Sequence, residues 1–265
     1  MSGPRLAGKV AIVTGAGSRG EGIGNGRAAA VLFAREGAKV LLVDQTQKAA
    51  EGTLEMIRGE KGEAEIFEAD VTRSADCEAM VADAVRRWGR LDILDNNVGI
   101  GGRATVVEVD EAEWDHLMKV NVTSMMLTSK HAIPAMVKNG SGAIVNISSI
   151  SALRPRGLTP YSVSKGAVIA LTRAMAIDHA PQGIRVNCIA PGPVETEGYL
   201  DVLKQAGPDG KKTYDAVAAR VGMGRWGKVE EIAYPCIFLA SDASSWMTGE
   251  TIVIDGGPPP REMEG

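Results

Sequence analysis

A tyrosine and a lysine four residues apart form a pair of side chains that could move a proton. Tyr161 and Lys165 lie in a stretch typical of a helix, so this spacing places them on one helical face. A phenol has an ordinary pKa of about 10, and a neighbouring ammonium group favours the phenolate. We therefore expect Lys165 to lower the pKa of Tyr161 and make it a usable general acid or base. Taken alone, the same spacing is more often a solvated pair on a helix surface.

A glycine-rich stretch near the start of the chain could bind phosphate. Residues 14–24 follow a strand-like run and precede an amphipathic stretch, which predicts a strand, a turn and a helix in succession. Glycines let backbone N–H groups approach a pyrophosphate, and the helix N-terminus stabilises its charge. The stretch therefore predicts a dinucleotide-binding turn rather than an ordinary flexible one. The candidate phosphate-binding residues are Gly15, Ser18, Arg19, Gly22, Ile23 and Gly24.

An acid at the end of the second strand-like run bears on the choice of dinucleotide. Asp44 lies 20 residues after Gly24, where a carboxylate can accept hydrogen bonds from the adenosine ribose and would repel a 2′-phosphate. The sequence thus favours NAD. Arg19 could instead offer its guanidinium group to a 2′-phosphate, so NADP stays possible. Asp44 could also simply cap the next helix.

The elements that must position these groups alternate between β and α patterns along the chain. Seven short β-branched or apolar runs predict strands, several of them apolar throughout, as in sheets covered on both faces. They are residues 9–13, 39–43, 64–68, 91–96, 143–147, 184–189 and 251–254. We predict an α/β fold, a Rossmann-like doubly wound parallel sheet of seven strands with helices on both faces. The chain reads as a single domain over residues 1–265.

Two of the helical patterns carry prolines that make specific predictions. Pro134 lies inside the pattern 111–139 and predicts a kink or break near Ile133. In the pattern that contains Tyr161, Thr159 suits the N-cap and Pro160 the first helical position.

Residues after the third, fourth and sixth strands should meet at one edge of the sheet and form a crevice. Asp70 with Val71, and Asn97 with Val98 and Gly99, are expected to contact the adenosine, with Asp70 accepting from the adenine amino group. The polar, glycine-dotted residues 195–227, called the lid segment below, predict a mobile substrate lid. The alternative is a surface excursion of two short helices.

Composition excludes several function classes. The 265 residues are 45 % hydrophobic, and 29 basic against 33 acidic side chains give a net charge of -4, so nucleic acid is an unexpected partner. The three cysteines are too few and too far apart for a disulfide framework or a CxxC-type zinc site, and we expect no metal. No apolar run of membrane-spanning length and no secretory leader pattern occurs, so we expect a cytoplasmic protein that does not enter membranes.

Ordered motifs along nearly the whole chain resemble the classical short-chain dehydrogenase/reductase family. They are the glycine turn at 14–24, Asn96-Asn97-Val98-Gly99, Asn121, Asn146-Ile147-Ser148-Ser149, Tyr161 with Lys165, residues 191–196, and the C-terminal runs 238–242, 248–249 and 253–257. The resemblance implies nicotinamide-dependent hydride transfer between an alcohol and a carbonyl. It implies Tyr161 as general acid/base, Ser149 bonded to the reacting oxygen, Lys165 on the nicotinamide ribose, and Asn121 holding a relay water. Pro191, Gly192, Val194 and Thr196 would surround the nicotinamide carboxamide, and the protein would be a homotetramer.

The chain departs from the family pattern at three places. Its glycine turn is about three residues longer than usual, Val98 stands where alanine is common, and Ser149 lies 12 residues before Tyr161 whereas Ser148 gives the more frequent 13. We choose Ser149 because the second serine of the pair is catalytic in the family.

Alternatives within and beyond the family remain. An NADPH-dependent 3-oxoacyl thioester reductase is the second reading, and a catalytically silent NAD(P)-binding regulator is a third. A nucleotide-sugar epimerase needs a larger C-terminal domain, and enoyl reductases of the related type space the tyrosine and lysine more widely. Arg103, Arg154 and Arg156 motivate the hypothesis of an anionic small-molecule substrate, although solvated loop arginines would look the same.

Overall fold

A computed structural model describes residues 3–18, 22–155 and 157–258, and its centre is one parallel sheet of seven strands. The strands are β1 Val10–Thr14, β2 Lys39–Asp44, β3 Ala64–Glu68, β4 Ile93–Asn96, β5 Gly142–Ile147, β6 Ile184–Pro191 and β7 Thr251–Ile254. Their order across the sheet is β3-β2-β1-β4-β5-β6-β7. The predicted doubly wound sheet is confirmed, and no strand boundary differs from its prediction by more than two residues.

Helices cover both faces of this sheet. They are α1 Asn25–Arg35, α2 Gln47–Gly59, α3 Ser74–Trp88, α4 Glu111–Met118, α5 Ser124–Lys138, α6 Thr159–His179, α7 Glu197–Gln205, α8 Pro208–Ala218 and α9 Val229–Ala240. One core packs α1, α2 and α9 against the sheet around Phe33, and the other packs α3, α5 and α6 around Met80. Each such fully buried side chain stabilises the fold by about 1.5–3 kcal/mol relative to exposure. Within the described residues, no helix is both long and apolar enough to cross a membrane.

The strand order fixes where a ligand can bind. β1 lies between β2 and β4, so the chain leaves β1 toward one edge and later returns on the other side. At this switch point the loops after β1 and β4 diverge and leave a crevice at the carboxyl ends of the strands. Most of the residues predicted from the sequence to form the site therefore lie at this crevice.

The prediction of a break near Ile133 is wrong. α5 continues through Pro134, with Ile133 and Met136 buried against the sheet, so packing outweighs the one backbone hydrogen bond that proline cannot make. The irregularity lies earlier, in a π-helical segment at Lys119–Thr123 that contains Asn121. Such π segments are rare and frequent at functional sites.

The start of α6 also differs by one residue from its prediction. Leu158, not Thr159, is the N-cap, and Pro160 stands at the second helical position rather than the first. The backbone N–H of Thr159 donates to Ala104 O at 3.0 Å, so this residue is tied to the loop after β4.

Candidate active site

Tyr161 and Lys165 lie in the first turns of α6, beside the carboxyl end of β5. Lys165 is buried, its Nζ donates to Ile147 O at 2.9 Å, and Nζ lies 5.9 Å from the centre of the Tyr161 ring. Burial lowers the pKa of Lys165 to about 8, because the charged form loses its water. A backbone carbonyl of the sheet therefore holds the ammonium group at the base of the crevice.

The expectation that the pKa of Tyr161 is lowered is wrong for the protein alone. Burial raises the pKa of Tyr161, and a hydrogen bond with the Ser149 side chain opposes that rise without overcoming it. Lys165 Nζ donates to Ile147 O and lies over the face of the Tyr161 ring. Its contact with the tyrosine is therefore with the ring rather than with the phenol oxygen.

The two neighbouring serines have different surroundings. The Ser148 hydroxyl is buried and donates to Lys165 O at 2.7 Å, which ties β5 to α6. Ser149 lines the crevice, and its hydroxyl bonds with Tyr161 and accepts from Ser151 N at 3.2 Å. The structure thus brings Ser149, the residue chosen from the sequence, to the tyrosine.

Asn121 fixes the loop that follows β4. Its Oδ1 accepts from Ile100 N at 2.8 Å, and its Nδ2 donates to Ile100 O at 2.9 Å and Ser164 Oγ at 3.0 Å. A Cβ added to Gly99 would lie 2.9 Å from Lys165 Nζ, so this loop passes close to the lysine. The side chain of Asn121 therefore positions backbone in the crevice, and its polar atoms are taken by the loop and α6.

The backbone packs too tightly for a side chain at Gly17 in the glycine turn and at Gly26 in the first turn of α1. A Cβ on Gly26 would lie 2.1 Å from Gly15 O, so glycine is needed where α1 meets the turn. A Cβ on Gly17 would lie 2.7 Å from Ala49 O, and Gly17 N donates to the Asp44 carboxylate at 3.0 Å. Arg19 lies outside the described residues.

Two adjoining cavities occupy the crevice. The smaller, about 440 Å³, lies over β1 to β4, and the larger, about 720 Å³, lies over β5 and β6. Of the predicted cofactor residues, the smaller cavity is lined by Gly15, Ser18, Asp44, Val71, Asn97, Val98 and Gly99. The larger is lined by Asn97, Gly99, Ser149, Tyr161, Lys165, Pro191, Gly192, Val194 and Thr196. Asn97, Gly99 and Ile100 line both, so the two cavities form one elongated site.

Four predicted cofactor residues do not line this site. The Asp70 carboxylate accepts from Thr72 N at 2.9 Å and Thr72 Oγ1 at 2.7 Å, so it shapes its own turn instead of facing the smaller cavity. Gly22 and Ile23 contact the start of α7, and Gly24 is the N-cap of α1.

The donor set fits an elongated dinucleotide. Among the described residues, Asn25 Oδ1 is buried without a hydrogen-bond partner while Asn25 lines the larger cavity, which marks a place for a polar ligand group. No group of three metal-binding side chains lies together in the described parts of the chain.

Comparison with known proteins adds an independent finding. A family model described as enoyl-(acyl carrier protein) reductase matches residues 18–258. The chain belongs to the classical short-chain dehydrogenase/reductase family. A 3-oxoacyl-[acyl-carrier-protein] reductase of Thermotoga maritima is 37 % identical, covering 96 % of this chain and 98 % of its own. A 2-(S)-hydroxypropyl-CoM dehydrogenase of Xanthobacter autotrophicus is 40 % identical, covering 96 % and 97 %. A crystal structure of a short-chain dehydrogenase/reductase from Burkholderia xenovorans superposes with a TM-score of 0.93 at 41 % identity, covering 96 % and 97 %.

This short-chain dehydrogenase/reductase has an aromatic wall that sequence reasoning missed. Tyr199 and Trp226 line the larger cavity, and their ring centres are 5.1 Å apart. Trp226 is buried, stacks on Tyr214 at 5.2 Å and donates from Nε1 to Tyr214 O at 3.0 Å. The lid segment contains two short helices, α7 and α8, and Trp226 anchors both. Scattered aromatics in a polar stretch gave no periodicity that could have revealed this wall.

The three arginines proposed for an anionic substrate have different outcomes. Arg103 is exposed, lines the larger cavity and has no hydrogen-bond or ion-pair partner among the described residues. Arg154 Nη1 is 2.7 Å from Asp255 Oδ2 and is therefore neutralised by the C-terminal strand end. Arg156 lies outside the described residues.

Proposed function

We propose that this protein transfers hydride reversibly between NAD(H) and a secondary alcohol or ketone. The observation that carries the proposal is the convergence of Ser149, Tyr161 and Lys165 on the larger cavity, which continues into the smaller one. One end of the elongated site thus holds a proton-transfer group. The other end is bounded by a glycine turn and a strand-end acid, as a dinucleotide requires.

The chain's own residues would handle the proton and the developing charge. A bound nicotinamide supplies or accepts the hydride. In reduction, the Tyr161 hydroxyl donates a proton to the substrate oxygen, and Ser149 donates a second hydrogen bond to it. Because the pKa of Lys165 is about 8, its side chain is charged in most molecules at neutral pH. An ammonium group therefore lies over the face of the Tyr161 ring. Asn121 would act indirectly, by positioning Ile100.

The preference for NAD rests on Asp44. It lines the smaller cavity, and its carboxylate accepts from the backbone of the glycine turn at Gly17, so it lies at the predicted adenosine end. A 2′-phosphate near this carboxylate would be repelled, which favours NAD by about tenfold after solvent screening. Reduced cofactor of either kind is the ligand to titrate.

The test is a fluorescence titration with NADH and NADPH side by side, on wild type, Asp44→Ala and the exposed control Glu51→Gln. We expect NADH to bind about tenfold tighter to wild type and to the control, and the ratio to narrow in Asp44→Ala. Tighter binding of NADPH by wild type would overturn the choice of NAD and favour the second candidate, an NADPH-dependent 3-oxoacyl thioester reductase. One relative is named a 3-oxoacyl-[acyl-carrier-protein] reductase.

The walls of the larger cavity describe the substrate that we propose. Tyr199, Trp226 and Leu158 offer apolar and aromatic surface, and Arg103 offers a positive charge at the rim. This combination suits a small alcohol or ketone with an apolar body and an anionic end.

Two further expectations from the sequence belong to this proposal. Cys77, Cys188 and Cys236 are buried and unpaired, which suits a reducing, cytoplasmic compartment. Family resemblance supports a homotetramer, and sedimentation velocity of the purified protein would test it.

A further inference from the structure

Glu197, the first residue of α7, is an acid to which the proposed reaction gives no role. Glu197 is partly buried, and its carboxylate contacts the glycine turn. Oε2 accepts from the Ser18 hydroxyl and Oε1 accepts from Gly22 N, both in the glycine turn, and its own N–H donates to Ile23 O at 3.3 Å. The Glu197 carboxylate is therefore hydrogen-bonded to two residues of the predicted phosphate-binding turn, and the Glu197 backbone is bonded to a third.

The turn is built to hold an anion at this position. Backbone N–H and hydroxyl donors point at one spot near the N-terminus of α1, where the helix dipole favours negative charge. Beneath them, buried Arg27 donates to Gly22 O at 2.6 Å, and the charge of Glu197 raises the pKa of Arg27 against the lowering caused by burial. Gly22 permits this approach, because a Cβ there would lie 2.6 Å from the Glu197 side chain.

We propose that Glu197 is a built-in competitor of the cofactor diphosphate, and that its displacement releases α7 when the dinucleotide binds. This inference rests on the proposed function, because the displacing ligand is the diphosphate of a nicotinamide cofactor. Both anions need the same donors, and two negative charges in one small site repel each other. The cofactor must therefore detach Glu197 and the start of α7 from the glycine turn before the lid segment can move over the substrate.

The first experiment measures the affinity for ADP-ribose, which carries the diphosphate but no nicotinamide. Calorimetric titrations compare wild type, Glu197→Gln and Asp201→Asn, the last being an exposed acid of α7 paired with Lys204 at 3.2 Å. Removing the competing charge should tighten binding by about tenfold in Glu197→Gln, since hydrogen bonds to a charged group are the stronger ones. Asp201→Asn should change it by less than about twofold.

The second experiment needs no variant. Hydrogen exchange of the α7 amides is measured in wild type with and without saturating ADP-ribose. We expect faster exchange in the complex, because ADP-ribose detaches Glu197 and offers no nicotinamide for the lid to cover.

The outcomes separate this inference from the proposed function. If wild type binds ADP-ribose and Glu197→Gln binds it equally or less tightly, or if the ligand slows exchange in α7, the competition is overturned while the cofactor assignment stands. If neither protein binds ADP-ribose, both are overturned.

Discussion

The serine–tyrosine–lysine cluster and the lid segment both line the larger cavity and are held in different ways. Ser148 and Lys165 are hydrogen-bonded to backbone carbonyls, at Lys165 O and Ile147 O, and α6 packs along β6 and β5. In the lid segment, Leu203 is the one buried residue of α7 and Gly210 the one of α8, both within the described chain. Buried Val221, the Trp226 stack and polar contacts also attach the segment.

This difference indicates a division of labour. The groups proposed to act on the substrate oxygen are fixed by the sheet, where accurate placement matters for rate. The proposed lid has few buried residues in its helices, and segments of that kind open at low free-energy cost. Substitutions in the sheet-bound cluster should therefore affect turnover, and substitutions in the lid segment should affect substrate affinity.

The largest expected effect is on turnover, from the rigid side. Tyr161→Phe removes the proton donor and should lower kcat by about a thousandfold, because general acid–base catalysis contributes that order of rate. Affinity for NADH should change little. Tyr234→Phe, at an exposed tyrosine of α9, is the matched control and should retain full activity. Retained turnover in Tyr161→Phe would remove the role proposed for this residue.

Asp95, a buried acid of β4, should make the free energy of unfolding depend on pH. Burial raises the pKa of Asp95 to about 7, because its charged form loses its water in the core. In the unfolded chain the pKa of this carboxyl group is about 4, so the folded state binds its proton more tightly. The stability that this proton contributes is fully present below pH 4 and is lost as the pH rises to about 7. Relative to wild type, Asp95→Asn should therefore gain about 2–4 kcal/mol in unfolding free energy between pH 4 and pH 8.

Urea denaturation at several pH values measures this difference, and the exposed Asp178→Asn serves as control. A constant difference between wild type and Asp95→Asn across this range would show that Asp95 does not titrate with the shifted pKa.

The lid segment should respond through substrate affinity. Trp226→Ala removes the stack with Tyr199 and Tyr214 and should lower kcat/KM by about 10- to 100-fold, mainly through KM. Trp246→Ala, at a fully exposed tryptophan, is the control. A fall in kcat with unchanged KM would instead couple the lid to the chemical step.

The smallest effect is expected at the cavity rim. Arg103→Ala should raise KM for anionic ketones by about fivefold and leave neutral ketones unchanged, because an exposed charge is screened by solvent. Arg173→Ala, on the exposed side of α6, is the control. If Arg103→Ala changes KM for anionic and neutral ketones by the same factor, the proposal of an anionic substrate is wrong.

The same two regions show what sequence reasoning can reach. Tyr161, Lys165 and the glycine turn were predicted from local spacing and strand ends, whereas Ser149 was chosen over Ser148 from the family resemblance. The path of α5 through Pro134 and the partners of Asn121 depend on packing between elements distant in the chain. The contact of Glu197 with the turn joins residues 179 positions apart, and nothing in the residue types near either end predicts it.

Hydride transfer at this site is tested most directly by the absorbance of reduced nicotinamide. Wild-type protein is mixed with NAD and a panel of secondary alcohols, and with NADH and the matching ketones. We predict substrate-dependent formation or loss of NADH that Tyr161→Phe abolishes. If the protein binds NADH but transfers hydride in neither direction with NAD or NADP cofactors, it is a nucleotide-binding regulator and the account is contradicted.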